Sequence, residues 1–279
     1  MNLSINRRTA IAALAATATT PLWSATGKSA AHSQADTAAL KLLDDAAQQL
    51  LQLLPESATS LGVDTGIDAR LRSRLGDRSA AGQRAIAARL RRDLQKVMTI
   101  DLQALSHPVR TSAQVVRSAY STALEGFALP YGDITVGGWR NTPYVVIQNV
   151  GAYLDTPRFL DSDHPIDTPR DANAYLERLR QYPQQLDGEL ERVRAAREAG
   201  LIPPAFLLDK ALAQLRLSAK GAHEGGLLIE SLLRRKQGMR GNWEREARSI
   251  VAGEVVAALE RQIVELETAR KFEIGRAHV

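Results

Sequence analysis

Helix-start signals recur between Trp139 and Gly200, and they constrain the fold more than any other feature of this chain. Thr142-Pro143 and Thr168-Pro169 each combine an N-cap residue with a proline at the first helical position. Asp171 follows Thr168 by three residues, as in a capping box. Pro183 predicts the start of a further helix, and the glycine at position 200 predicts its end. The stretch therefore predicts several helices in succession.

Apolar residues at helical spacing extend this prediction to the rest of the chain. A loop is predicted over 55–64, because Pro55 should stop the first helix, and a turn over 130–133. In the first half of the chain the expected helices are Asp36–Leu54, one that is capped by Ser79 or Asp77 and ends at Met98, one from Pro108 through Phe127, and one from Thr142 to about Leu154. In the second half, helices are expected to begin at Thr168, at Pro183 (ending at Gly200) and at Pro203-Pro204. The last two expected helices are Leu227–Lys236 and Trp243 to about Lys271.

Two short segments leave an extended alternative open. Ile134-Thr135-Val136 could form a strand, and the β-branched run Val145-Val146-Ile147 argues against the helix expected after Thr142. Aromatic residues make up only 5% of the chain, whereas Ala, Leu and Arg are abundant, which favours helix over sheet. The predicted fold is all-α, a multi-helix array of amphipathic antiparallel helices with at most one short strand or hairpin near 131–138.

The charge of the chain argues against a nucleic-acid partner. The formal net charge is +5, but Arg7, Arg8 and Lys28 supply three positive charges in residues 1–35, where no acidic residue occurs. The rest of the chain is close to neutral and has no electrostatic footprint for DNA or RNA. The chain contains no Cys, which rules out disulfides and thiolate metal sites.

The first 35 residues are typical of an export signal. Arg7-Arg8 precedes an apolar run from Ile11 to Trp23, and small residues around Ala31 offer cleavage sites. Adjacent arginines favour the twin-arginine route, which makes that translocase a predicted partner. An N-terminal membrane anchor is the alternative, but the run is shorter than the roughly 20 apolar residues that a stable span needs. We predict a periplasmic or secreted protein after cleavage of 1–35.

From Pro55 onward the chain resembles a bacterial family known as domain of unknown function 885. The resemblance spans about residues 40 to 272. It rests on Pro55…Ala58-Thr59-x-Leu61-Gly62, Asn141-x-Pro143-Tyr144, His164-Pro165-Ile166…Asp171-Ala172-x-x-Tyr175-Leu176-x-Arg178-Leu179, Pro183-x-x-Leu186-Asp187, Gly200-x-x-x-Pro204 and Trp243-x-x-x-Ala247.

The resemblance implies an exported helical protein related to zinc metallopeptidases. In the family, the chemistry lies on a later helix with the pattern His-Glu-x-x-Pro-Gly-His, followed by a Glu-Gly-Trp segment. Two histidines on one helix face can share Zn²⁺ while the glutamate activates the bound water. This sequence lacks the pattern. Its nearest approach is His223-Glu224, where Leu227 stands in place of a second histidine, and a solvent-facing pair is the better interpretation.

No other residue offers a catalytic or metal-binding constellation. His107 and His164 each precede a proline in predicted loops and are interpreted as turn residues. Gly137-Gly138 could cradle an anion but lacks the pattern that follows a phosphate-binding loop. Catalytic, metal and cofactor residues are therefore predicted to be absent from this chain, and zinc is expected only in a longer parent protein.

The C-terminal heptapeptide 273–279 matches the in-frame translation of a common sequencing adapter. We interpret it as an artefact and 36–272 as the N-terminal helical portion of a larger domain, with a natural polar tail as the alternative. Two functional hypotheses follow. The first is an N-terminal fragment of an exported zinc metallopeptidase-like hydrolase with a peptide-like substrate, whose enzymatic nature this chain leaves uncertain. The second is a non-catalytic periplasmic helical binding protein.

Overall fold

A computed structural model of the chain describes residues 33–136, 141–224, 226–236 and 238–276. Within these ranges backbone pairing between extended residues is limited to two isolated bridges, Asp133–Thr142 and Ile147–Val150. The all-α prediction is confirmed. The helices are α1 (Gln34–Leu51), α2 (Pro55–Ser60), α3 (Ala80–Met98), α4 (His107–Phe127), α5 (Ala152–Ser162), α6 (Pro169–Glu198), α7 (Ala205–Glu224), α8 (Leu227–Arg235), α9 (Trp243–Ile250) and α10 (Val256–Arg276), with 3-10 turns at Gly66–Ser73 and Leu102–Ala104.

The first part of the chain packs α1, α3 and α4 together around two small apolar clusters. Leu43 of α1 and Val97 of α3 belong to one cluster, and Leu90 of α3 and Tyr120 of α4 belong to the other. These residues lie on the apolar stripes that the sequence predicts. Burial of such stripes supplies most of the stability of helices this short.

The second part of the chain surrounds α6, which contacts α5, α9 and α10 and also touches α3. Tyr175, Leu179, Tyr182 and Leu186 run along α6 as fully buried side chains. One continuous apolar cluster joins them to α7, α8 and α10. The helix that follows the Thr168 start signal is therefore the centre of the molecule.

The predicted start signals at Ser79 and Thr168 are confirmed. The Ser79 hydroxyl accepts a hydrogen bond from Gly82 N at 3.2 Å. Thr168 and Asp171 form a reciprocal capping box, in which each side chain accepts from the other residue's backbone N–H. Gly200 ends α6 with φ of 85°, a left-handed conformation that glycine adopts without strain.

The helix predicted from Thr142 to about Leu154 is wrong. The backbone from 141 to 151 is irregular, and α5 begins only at Ala152, after Gly151 with φ of 135°. Val145, Val146 and Ile147 are buried in this irregular segment. Their β-branched side chains favour the extended backbone, which outweighs the start signal at Thr142-Pro143.

At two prolines, Pro183 and Pro55, the structure differs from the helix boundaries that the sequence predicts. Pro183 does not begin a new helix, since α6 continues through it to Glu198. The lost hydrogen bond at Pro183 is offset by the buried apolar side chains on either side of it. Pro55 was expected to open a loop, but it is the first residue of the short helix α2. A proline suits this position because its missing N–H would have no partner within the helix.

The last helical stretch begins at Trp243 as predicted and continues to Arg276. Val251–Val255 within it is π-helical, a feature that the apolar periodicity did not indicate. Among the described helices, none has the length and hydropathy that a membrane crossing requires.

Candidate functional site

A fully buried arginine, Arg178, joins α6 to the segment that precedes α3. Its Nε donates to Arg74 O at 2.9 Å, and one terminal nitrogen donates to Thr59 Oγ1 at 2.7 Å and to Leu71 O at 3.0 Å. The other terminal nitrogen lies 2.6 Å from His164 Nδ1. Every direct partner of this guanidinium is neutral, so it acts as a hydrogen-bonding hub.

The ring of His164 is only 1% exposed, which corrects its interpretation as a simple turn residue. Nδ1 faces the Arg178 donor, so the ring proton is assigned to Nε2, which donates to Asp171 O at 3.0 Å. Burial and the Arg178 charge lower the pKa of His164 to about 3. The imidazole is therefore neutral at physiological pH and closed off from any substrate.

A partly exposed arginine, Arg72, extends the hub. It pairs with Asp64 at 3.0 Å and with Asp171 at 2.8 Å, and Asp64 also accepts from Thr59 Oγ1 at 2.8 Å. Burial would raise the pKa of Asp64, but the hydrogen bonds from Arg72 and Thr59 hold that pKa below its ordinary value. These groups hold the segments before α3 and α6 together, and none of them is placed to react with a ligand.

A second buried network fixes the N-terminus of α5. Both carboxylate oxygens of Glu189 accept from Ala152 N, at 2.9 and 2.8 Å, and Arg78 pairs with Glu189 at 2.9 Å and with Asp155 at 3.3 Å. Glu189 is fully buried, and burial raises its pKa although Arg78 opposes the shift. A carboxylate at this position also complements the positive end of the helix dipole.

The C-terminus of α5 is fixed by α8. The guanidinium of Arg235 donates to the carbonyls of Leu160, Asp161 and His164. Arg234 pairs with the Asp161 carboxylate. Since both ends of α5 are anchored, the side chains on its remaining face are held in fixed positions.

That face of α5 lines an apolar cavity of about 470 Å³. The opposite walls come from α7, from the start of α8 and from the π-helical segment. The residues that line the cavity include Leu154, Pro157, Arg158, Leu217, Gly221 and Val251. A pocket of this size with mainly apolar walls is the usual form of a small-molecule site.

Two charged residues of α5, Arg158 and Asp161, line the cavity, and the exposed side on which Arg158 lies is called its mouth. Asp161 is neutralised by Arg234. Arg158 is exposed and forms no ion pair with any residue in the described ranges. The cavity therefore offers a single uncompensated positive charge beside an apolar interior.

A second, more polar cavity of about 630 Å³ lies between 161–167 and the end of α8. Of its two cations, Arg235 and Lys236, the first already donates to three backbone carbonyls. The apolar cavity is thus the better candidate for a functional site.

The residues singled out in the sequence do not come together. Arg7, Arg8 and Gly137-Gly138 lie outside the described residues. His223 and Glu224 are exposed at the end of α7, as expected, and Glu224 lies 3.9 Å from Lys220. Across the described ranges, no three His, Cys, Asp or Glu side chains are grouped so as to hold a metal ion.

The burial of Arg178 and Glu189 was not predicted, although the sequence carries a signal for both residues. Arg178 follows Tyr175 by three residues and Glu189 follows Leu186 by three, so both lie on the apolar stripe of α6. A charged residue at a core position is seldom buried unless it has partners. The two positions can be recognised in the sequence, but their partners, which lie 14 to 119 residues away in the chain, cannot.

Comparison with known proteins agrees with this fold. The family model described as a bacterial protein of unknown function (DUF885) matches residues 55–276. The solved structure of the putative lipoprotein from Colwellia psychrerythraea is similar, with 20% identity and a TM-score of 0.71 over 85% of this chain and 42% of that chain. At this identity the likeness shows the fold alone, and this chain spans less than half the length of that protein. No curated protein matches. The chain belongs to the DUF885 family of bacterial proteins of unknown function.

Proposed function

We propose that this chain is the N-terminal helical portion of an exported zinc metallopeptidase-like hydrolase. The observation that carries the proposal is the match to the family over residues 55–276, in a chain that covers only 42% of a similar solved protein. A longer parent protein would supply the zinc motif on a later helix, as the resemblance to the family implies.

The described residues themselves do not fit a catalytic zinc ion. A catalytic site of this kind needs three protein ligands, and no suitable group of three exists in the described ranges. His223 and Glu224 are exposed, and the position of a second histidine is occupied by Leu227. No step of zinc chemistry is assigned to this chain.

The contribution of this portion would be to build one wall of the substrate cleft. The two buried networks fix α5 and α6, which gives the wall a rigid frame. Large apolar side chains on α7 and α10 are exposed outside the cavity, with Phe206 59% and Val264 63% accessible. We infer that the catalytic portion of the parent protein would pack over these side chains, because their burial is favourable.

Export belongs to the same proposal. Arg7-Arg8 and the following apolar run would direct the folded protein to the twin-arginine translocase, and cleavage would release it into the periplasm or medium. A peptide-like molecule would be the substrate of the full-length protein.

A non-catalytic binding protein is the second candidate. It is favoured by one observation, the apolar cavity between α5, α7 and α8, which needs no metal in order to hold a ligand.

Zinc content and peptide hydrolysis test the proposal. We expect the longer parent polypeptide to bind one zinc ion per chain and to cleave members of a peptide library, whereas this chain does neither. Replacing the motif glutamate of the parent by glutamine should abolish hydrolysis and keep the zinc, because glutamate is the general base and not a ligand. A parent that neither binds zinc nor cleaves peptides would leave the binding-protein alternative.

A further inference from the structure

We propose that the cavity between α5, α7 and α8 binds a small molecule with an apolar chain and a carboxylate group, and that Arg158 pairs with the carboxylate. The proposal concerns this chain alone and does not depend on zinc or on hydrolysis.

The interior of the cavity selects for an apolar group. Leu154 and Pro157 of α5 line a volume of about 470 Å³ together with Tyr182 and Leu228, which are both buried, and Val251 of the π-helical segment also lines it. Transfer of apolar surface from water into such a pocket is favourable. Pockets of roughly 300–1,000 Å³ hold small organic ligands, so an alkyl chain of medium length has room here.

The positive charge of Arg158 at the mouth of the cavity favours an anionic group on the ligand. Arg158 and Asp161 are the charged residues at the cavity, and Arg234 neutralises Asp161. The guanidinium of Arg158 has no carboxylate partner in the part of the chain that the structure describes. A guanidinium has the planar fork of donors that matches a carboxylate, so an amphipathic acid complements both parts of the site.

The cavity wall contains a second, independent sign of function. The π-helical turn Val251–Val255 interrupts a helical stretch that is otherwise continuous from Trp243 to Arg276. Single π-turns are rare and occur frequently at functional sites. Here the turn includes Val251, so the departure from α-helix occurs where the helix borders the cavity.

The site is also preorganised. Glu189 holds the first residue of α5 and Arg235 holds its last carbonyls, so α5 is fixed at both ends. Arg158 lies near the middle of this helix. Binding to a rigid wall costs less ordering of the protein than binding to a loop.

Calorimetric titration of the chain with octanoate and with 1-octanol tests the charge at the mouth. We expect octanoate to bind more tightly than 1-octanol. Arg158→Gln should weaken octanoate about fivefold, the scale of an exposed ion pair, and leave 1-octanol unchanged. Arg245→Gln removes the same charge from an exposed position on α9 that does not line the cavity, and it should leave both affinities unchanged.

A cavity-filling variant tests the location. A Cβ at Gly221 would meet no atom within 4 Å, and Gly221 lines the cavity, so the leucine of Gly221→Leu is expected to occupy part of the cavity volume. Gly221→Leu should abolish binding of both ligands. Ala213→Leu, on the exposed face of α7 two turns earlier, should keep both affinities. If Gly221→Leu fails to fold by circular dichroism, Ser218→Met fills the cavity from the adjoining turn.

Three results would overturn the proposal: no binding of octanoate to the unaltered chain, equal octanoate affinity after Arg158→Gln, or full binding by both folded cavity-filling variants. None of these results bears on zinc content or hydrolysis of the parent protein, so the two proposals fail separately.

Discussion

The His164 ring sits between the Arg178 guanidinium and the Asp171 carbonyl, with its pKa lowered to about 3. In the unfolded chain the same ring has its ordinary pKa of about 6.5. Between these values the unfolded state binds a proton that the folded state does not. The free energy of unfolding should therefore fall as the pH drops below about 6.5, by about 1.4 kcal/mol per pH unit from this group alone.

Urea denaturation of the chain and of His164→Gln at several pH values between 7.5 and 4.5 measures this effect. Glutamine keeps a donor and an acceptor but does not titrate, so the stability advantage of the histidine should shrink steadily below pH 6.5. A difference between the two proteins that stays constant with pH would show that His164 does not carry the proton linkage.

Arg178 should be irreplaceable by lysine. Its guanidinium hydrogen-bonds Arg74 O, Leu71 O, Thr59 Oγ1 and His164 Nδ1 at the same time. The compact ammonium of lysine cannot donate to all four acceptors. Arg178→Lys should lower the free energy of unfolding on the order of 3 kcal/mol, because several buried acceptors lose their partner. The matched control is Arg180→Lys, two positions along α6 on the exposed side, with an expected change of about 0.5 kcal/mol or less.

At the scale of the elements, close packing should outweigh helix propensity at Gly188. A Cβ there would lie 2.7 Å from Ser79 N and 3.0 Å from Ser79 Cα, so an alanine would push α6 away from the start of α3. Gly188→Ala should destabilise the chain by about 1–3 kcal/mol. Gly221→Ala in α7 meets open space and should stabilise it by about 0.5–1 kcal/mol. Thermal melting that shows the same sign for both variants would contradict the close approach.

Capping chemistry made the starts of α3 and α6 predictable, because Ser79 and Thr168 act through neighbours within three residues. Gly200 was predictable for the same local reason. Prolines were less informative. Pro183 is compatible with a helix whose tertiary contacts extend on both sides of it, and the sequence does not contain those contacts. The buried run Val145-Val146-Ile147 lies in irregular backbone, because its β-branched side chains disfavour the helix that Thr142-Pro143 predicts.

At the scale of the whole molecule, the candidate site could not be predicted because it is assembled from distant segments. Arg158 and Leu217 lie at the same cavity although 59 positions separate them in the sequence. Apolar periodicity indicates which side of each helix is buried, but not which helices leave a space between them. The π-turn at Val251–Val255 was equally hidden, since it is a backbone departure within an ordinary apolar stripe.

The molecule as a whole is a scaffold in which buried polar groups join two apolar parts. Arg178 links α6 to α2 and to the 3-10 segment, and Arg78 links the segment before α3 to α5 and α6. Such networks fix the orientation of the helices relative to one another, including the helix α5 that lines the cavity.

We propose that this scaffold belongs to a longer zinc-dependent protein, and a sequencing read through the source gene beyond the codon for Phe272 tests this proposal most directly. We expect an in-frame continuation that encodes His-Glu-x-x-Pro-Gly-His on a later helix, followed by Glu-Gly-Trp. A stop codon directly after Val279 would contradict the proposal and leave the non-catalytic binding protein as the remaining candidate.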